Sequence, residues 1–451
     1  MQTDSNFTRG RILAPLLHFA IPVLGALILQ AMYGAVDLLV VGRFAASADV
    51  SAVSTGSQLM HTITFVVVGL SMGTTILLGN CIGAGKRERA GDIIGTAICL
   101  FGLLGLLITV VVPLAARPLC ALMKAPAEAF NQTVSYVSIC AGGMLFIVAY
   151  NVLGSVFRGL GDSRTPLLAV VIACVANIAG DLLFVAAFHM GAAGAALATA
   201  LAQAVSVALC FLVIRKKGLP FPFSRRCVRL QRDIALRTVH LGAPLALQDL
   251  LVSISFLVIL AIVNGLGLIA SAGIGVAEKL CAFIMLVPSA FSQSLSAFVA
   301  QNMGAHEPVR ARRAMLYGMA SSLLLGVAMA WAAYFHGNLL GGIFSRDAAV
   351  VAAGADYLRA YAIDTLLVSF LFCFIGYFNG CGRTSFVMLQ GIVGAFGVRI
   401  PVSWLMSRQA NPSLFRIGLA TPCSTAVQIL LCVAYFAFLL RREADPLASG
   451  D

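Results

Sequence analysis

The chain has 451 residues, of which 60% are hydrophobic and 11% charged, with a formal net charge of +12 and a mean hydropathy of +0.97. A soluble globular domain of this length cannot expose so much apolar surface, and the apolar runs are continuous rather than alternating, which excludes a β-barrel and leaves a polytopic α-helical membrane protein. The excess of Lys and Arg falls in short loops between apolar runs, where it sets membrane orientation, and nucleic acid is excluded as a partner.

The first apolar stretch follows Arg9 and Arg11 and resembles the start of a secretion signal. It stays apolar to about Val41 with no A-x-A site, too long for a signal core, and is taken as a spanning helix. Apolar periodicity and charged punctuation predict twelve spans, at 14–42, 50–79, 91–113, 131–157, 165–188, 192–214, 237–263, 269–300, 314–336, 350–378, 385–406 and 416–440. Lys86, Arg87 and Arg89 follow the second span and Arg158 and Arg164 the fourth. A dense basic run from Arg215 to Arg232 follows the sixth, Arg310, Arg312 and Arg313 the eighth, and Arg441 and Arg442 the last. Loops of the other parity hold only Arg43, Arg117, Lys124, Arg346 and Arg408, so the positive-inside rule puts both termini in the cytoplasm. The expected location is a bacterial inner membrane. The 12 cysteines lie mostly within apolar segments with no C-x-x-C pairing, and are expected to pack as small residues without a disulfide or zinc framework.

Two polar groups interrupt the fifth span, Asn177 and Asp181, four residues apart and so on one helical face. Asp37 interrupts the first span and Thr199 the sixth. At a rise of about 1.5 Å per residue, Asp37 lies about 8 Å below its outer helix end, Asp181 about 12 Å and Thr199 about 10 Å, so the three reach one level of the outer leaflet. Two carboxylates in a weakly hydrated cleft cannot comfortably both be charged: one must hold a proton, or a cation must bridge them. Asn177 and Thr199 add neutral oxygens that suit Na⁺ and equally a protonated carboxyl. These four residues are read as an ion-coupling site, the ion being Na⁺ or H⁺, with no other cofactor expected.

The sequence also repeats itself. Leu17 to Pro22 matches Val239 to Pro244, Gly83 and Ala84 match Gly304 and Ala305, and Gly159 and Gly161 match Gly380 and Gly382, at an offset of about 221 residues. An even number of spans per repeat gives two six-helix lobes related by a pseudo-two-fold axis along the membrane normal. The expected division is an amino-terminal lobe at 1–214, a basic cytoplasmic linker at 215–236, a carboxy-terminal lobe at 237–442 and a short tail at 443–451. At that offset Asn177, Ile178 and Asp181 fall opposite Val398, Arg399 and Val402, so the acidic site is not duplicated.

The stretch from Gly79 through Asn80, Cys81, Ile82, Gly83, Ala84 and Gly85 to Lys86, the fourth loop from Arg158 to Pro166, and Val36 with Asp37 fifteen residues after Pro22 together resemble the multidrug and toxic compound extrusion (MATE) family over essentially the whole chain. The resemblance implies a twelve-span efflux transporter with an ion site in its amino-terminal lobe, and Asp37, Asn177, Asp181 and Thr199 match that site in type and spacing. Some relatives carry acids on the seventh and tenth helices, and Asp249 and Asp364 lie about one turn from those places. The basic second loop of major facilitators is absent.

Expected substrate-cavity residues are Gln30, Tyr33, Met60, Gln248, Asp249, Phe256, Glu278, Lys279, Asp364 and Arg399, with Met32, Phe283 and Met285 on the same helices. Aromatic and Met side chains suit promiscuous apolar ligands, and carboxylates supply charge complementarity to cations. The competing assignment for the charges is an internal salt bridge of Lys279 or Arg399 with Asp364 or Asp249. Pro22, Pro244 and Pro288 are possible kinks, and Arg158, Asp162 and Arg164 a possible loop latch. The expected function is a monomeric secondary antiporter, embedded in membrane lipid, that exports small organic, often cationic amphipathic compounds in exchange for Na⁺ or H⁺ by alternating access. The alternative is a lipid-linked saccharide flippase of the same superfamily, which should line its cavity with Arg and Lys. No H-E-x-x-H or G-x-S-x-G motif points to an enzyme.

Overall fold

In a hydrocarbon solvent each backbone N–H and C=O must be satisfied within its own segment, and an apolar chain without water to bond therefore coils into helices. A computed structural model describes residues 7–221, 223–409 and 412–444, and among these there is no strand. In chain order the first half holds α1 (Leu13–Phe44), α2 (Ser47–Gly83), α3 (Arg87–Leu114), α4 (Ala116–Leu122), α5 (Phe130–Gly142), α6 (Met144–Gly159), α7 (Arg164–Asp181) and α8 (Gly191–Lys217). The second half holds α9 (Arg232–Asn264), α10 (Leu268–Ile284), α11 (Leu286–Gly304), α12 (Pro308–Phe335), α13 (Gly337–Gly342), α14 (Ala348–Gly380), α15 (Thr384–Ile392), α16 (Ile400–Ser407), α17 (Leu414–Gly418) and α18 (Ala420–Ala444). By length and composition 11 described helices are able to cross a membrane, or 12 when the bent pair α5 and α6 counts as one span.

The interruptions have local causes. The fourth expected span bends by 50° between Gly142 and Met144, where Gly143 lets the chain approach α8 closely: a Cβ there would lie 2.6 Å from that of Ala200. The eighth expected span breaks at Met285. Pro288 lacks the N–H that would bond the carbonyl of Ile284, so the ladder opens there. Pro22 and Pro244, by contrast, sit inside continuous helices. Wide turns with i→i+5 character interrupt the fifth and eleventh spans at Leu182–Ala187 and Val393–Arg399; such turns add a residue and rotate the face that follows.

The chain forms two compact units that do not follow the two halves of the sequence. The first comprises the residues up to Ala246 together with Ala297–Arg310, and the second Leu247–Ser296 together with the chain from Ala311 onward. Glycines explain the exchange. Apolar surface drives little association between helices in lipid, so close backbone approach at small residues takes over. On α2, Gly69 and Gly73 lie against Ala246 and Thr238 of α9, and Gly83 lies against Gln301 of α11, while Gly242 and Gly304 meet Leu70 and Asn80 in return. The expected linker is continuous helix to Lys217, with α9 beginning at Arg232. The expected tail at 443–451 lies outside the described residues from position 445 onward.

A strap precedes α1 in the first unit. Phe7, 1% exposed, sits edge-on to Phe19 at 5.2 Å and against Phe298 at 4.8 Å between ring centres. Asn302 and Arg310 both donate to the Phe7 carbonyl, at 3.2 and 2.8 Å, and the Arg310 guanidinium donates further to the carbonyls of Arg9, Gly10 and Arg11.

A methyl group at Gly83 would fall on the carbonyl of Gln301, whereas one at Gly102 meets nothing within 4 Å. Gly83→Ala is therefore expected to lower stability by about 1–3 kcal/mol through overpacking, and Gly102→Ala to be neutral or stabilising because alanine favours helix. Thermal unfolding of the two purified variants checks the contrast.

Candidate functional site

The first unit brings Asp37, Asn177, Asp181 and Thr199 together. α7 packs against both α1 and α8, and α7 comes close to α8 beside the site, where a Cβ on Gly180 would lie 2.9 Å from that of Ala198. The residues following these two are Asp181 and Thr199, so the glycine contact sets their separation. Asp37 is 4% exposed and Asn177 and Asp181 are 0% exposed. The Thr199 hydroxyl donates to Asp37 Oδ2 at 3.2 Å, and the Asp37 carboxyl also faces Asp181 and Asn177. Asp37 Oδ1, both oxygens of Asp181, and both Oδ1 and Nδ2 of Asn177 are buried without a hydrogen-bond partner. Such groups are expensive to bury. An all-oxygen set of two carboxylates, an amide and a hydroxyl can take up a proton or a single hard cation.

Sequence reasoning missed the shell around this centre. Tyr33, expected in a substrate cavity, is half-buried one turn from Asp37 and accepts from Gln203 Nε2 at 3.0 Å. Tyr136 and Cys140 of α5 also lie in the field of Asp37. Helical spacing offered a signal, since Tyr33 precedes Asp37 by four residues and Gln203 follows Thr199 by four. Gln30 is half-buried near Tyr150, and Met60 belongs to the apolar core with Val53, Val137 and Met144.

Charges of the second half separate into two groups. Asp249 and Lys279 are exposed and Glu278 is half-buried; the Lys279 ammonium stands 5.7 Å over the Phe344 ring. Asp364 and Arg399 are 1% and 6% exposed, inside the second unit. Gln248 is buried against Gly391. Arg399 stacks 4.5 Å over half-buried Phe256 and donates to Ser255 Oγ at 3.1 Å, with Asp364 near enough to act on its charge. The competing assignment, a salt bridge of Lys279 or Arg399 with Asp364 or Asp249, does not form among these described residues; the ion pairs that do form include Arg229 with Asp92 and Arg359 with Asp356. In the fourth loop Asp162 caps the start of α7, accepting from the backbone of Arg164 and Thr165 and from the Thr165 hydroxyl, while Arg158 turns inward to Ser155 Oγ at 2.9 Å.

The MatE family model matches residues 22–183 and again residues 244–405. The chain belongs to the MatE family. Its two matches cover one copy in each half of the sequence, in line with the repeat. Similar curated proteins include the probable multidrug resistance protein YoeA of Bacillus subtilis, 24% identical over 94% of this chain and 93% of its own, and YpnP of the same organism, also a probable multidrug resistance protein, 27% identical over 89% and 90%. A crystal structure of MATE in complex with MaL6 superposes with a TM-score of 0.92 at 19% identity, covering 99% of this chain and 100% of that one. The MatE protein is thus a multi-pass helical membrane protein of a transporter family, as the resemblance implied.

If the unpartnered oxygens await a proton or cation, Na⁺ or lowered pH should stabilise the wild-type protein, and the Asp37→Asn/Asp181→Asn double variant should lose that response. A ligand at a hundredfold excess over its dissociation constant adds about 2.7 kcal/mol. Unfolding midpoints across Na⁺ concentration and pH are the measurement.

Proposed function

We propose that this MatE-family protein is a secondary antiporter that exports organic, often cationic amphipathic compounds in exchange for Na⁺ or H⁺ taken up at Asp37, Asn177, Asp181 and Thr199. The observation that carries the reading is a pair of facing carboxyl groups, buried within membrane-spanning helices, with three of their four oxygens unpartnered. Acids at such depth are costly unless they pair, protonate or hold an ion. Each occupancy state changes the charge inside the helix cluster, and a site that changes charge can bias the equilibrium between two conformations by as much as its affinity for the ion differs between them. Alternating access then links ion entry to substrate exit. The multidrug resistance names of the curated relatives support the substrate class. Exposed Asp249 and half-buried Glu278 accompany exposed Lys279, which suits cationic ligands better than the uniformly basic lining a flippase of anionic lipid-linked sugars needs.

The proposed setting is a bacterial inner membrane with both termini cytoplasmic, the protein working as a monomer. In proteoliposomes, an imposed Na⁺ or pH gradient is expected to drive efflux of a cationic dye, and Asp37→Asn and Asp181→Asn are each expected to reduce gradient-driven efflux at least tenfold with normal amounts of folded protein. Efflux retained in both variants would refute the site.

For orientation, a cysteine introduced at Gly218, in a chain otherwise cleared of cysteine, is expected to react with an impermeant thiol reagent from the cytoplasmic side alone.

A further inference from the structure

The two family matches are separated by 222 residues at both their first and last positions, one more than the motif offset of about 221. Within the matched residues Asn177 then falls opposite Arg399, Asp181 opposite Ser403 and Tyr33 opposite Ser255, and the same spacing carried past their ends sets Thr199 opposite Thr421. Part of the second unit's buried polar cluster is made of these equivalents, whereas Asp37 falls opposite apolar Ile259 and Asp364 opposite Gly142, so the acids themselves are not duplicated. Arg399 donates to Ser255 Oγ. Asp364 lies beside Arg399 and Thr425, and the same spacing, carried beyond the matched residues, sets Thr425 opposite Gln203. Ser403, Thr421 and Thr425 are 0%, 2% and 1% exposed. Arg399 Nε, Asp364 Oδ1, Ser403 Oγ and Thr421 Oγ1 are buried and unpartnered. Both spans carry two polar residues four apart and a wide turn, which follows Asp181 in the first span and ends at Arg399 in the second, and in both the next long helix brings a hydroxyl. What differs is the balance of charge. Asp37 and Asp181 have no cation beside them among the described residues, whereas the second unit offers one acid and a fixed guanidinium lodged on an aromatic face.

We propose that the second unit holds a cation pocket in which the cation is covalent: the Arg399 guanidinium supplies to Asp364 the charge that a free ion supplies to Asp37 and Asp181 in the first unit, and leaves the second permanently loaded. The proposal rests on the reading of Asp37 and Asp181 as an ion site. Arg399 is then a specificity-determining residue, limiting the transporter to a single exchangeable cation. Removing its side chain leaves an acidic, hydroxyl-lined pocket with an aromatic wall, whose ligand class is a small organic or inorganic monovalent cation, foremost a guanidinium.

The test uses the full chain carrying Asp37→Asn and Asp181→Asn, so that the first unit's acids contribute nothing. Adding Arg399→Ala is expected to lower the unfolding midpoint, and methylguanidinium chloride to raise it again, saturably and by several degrees. Tetramethylammonium chloride, which lacks N–H donors, should not do so, and the protein that keeps Arg399 should respond to neither salt. Identical responses with and without Arg399 would overturn the proposal. Should Arg399→Ala not accumulate, Asp364→Asn/Arg399→Met decides: more folded protein than either single change supports charge compensation, and no recovery overturns it. A failure of the first-unit reading appears separately, as a wild-type protein whose midpoint ignores Na⁺ and pH.

Discussion

Two carboxyl groups facing one another in an apolar enclosure impose a condition on everything near them, because their charge has to be balanced before the helices around them can close. In the first unit that condition falls on α1, α7 and α8. The Gly180–Ala198 approach brings the α7 and α8 backbones together beside the acids, and Thr199 supplies a hydrogen bond to one of four carboxyl oxygens. Tyr33, Gln203, Tyr136 and Cys140 surround the centre with groups that can donate or rotate but carry no cationic charge. In the proposed antiporter the compensating charge comes from outside the protein, as the ion taken up at this centre.

The second unit meets its own condition differently. A buried acid and a buried guanidinium share the interior, with the guanidinium resting on Phe256 and Ser255 instead of forming a direct ion pair. The two family matches give the chain two related helical halves, and the side chains of each set its own balance of buried charge. Each half has a wide turn in the span that carries these polar residues, after Asp181 in the first and ending at Arg399 in the second.

Much of this was legible in the sequence for reasons that can be named. Spans could be read because apolar runs and charged punctuation are strong signals in a membrane protein, and depth arithmetic along three helices put Asp37, Asp181 and Thr199 at one level. The bend at Gly143, the break at Met285 and the wide turns were illegible because each depends on one or two residues that leave hydropathy unchanged. The wide turns also blur register: an offset fixed by loop motifs set Arg399 beside the equivalent of Asn177 rather than on it. Least legible was the composition of the compact units. Gly69, Gly73 and Gly83 mark a face of α2 that receives α9 and α11, and a glycine face carries no apolar or charge signature.

The strap before α1 has a consequence for how its sequence can vary. Arg310 reaches four main-chain carbonyls, those of Phe7, Arg9, Gly10 and Arg11, and a guanidinium can do so because its five N–H donors are arrayed in a plane. Carbonyls are common to all residues. The fastening therefore recognises the course of the backbone and is indifferent to the side chains along it, apart from the Phe7 ring that anchors one end. Information is concentrated on the gripping side: substitutions at Arg9 or Arg11 leave the bonded atoms in place, whereas lysine at position 310, equal in charge, has a single nitrogen to offer where the loop presents four acceptors.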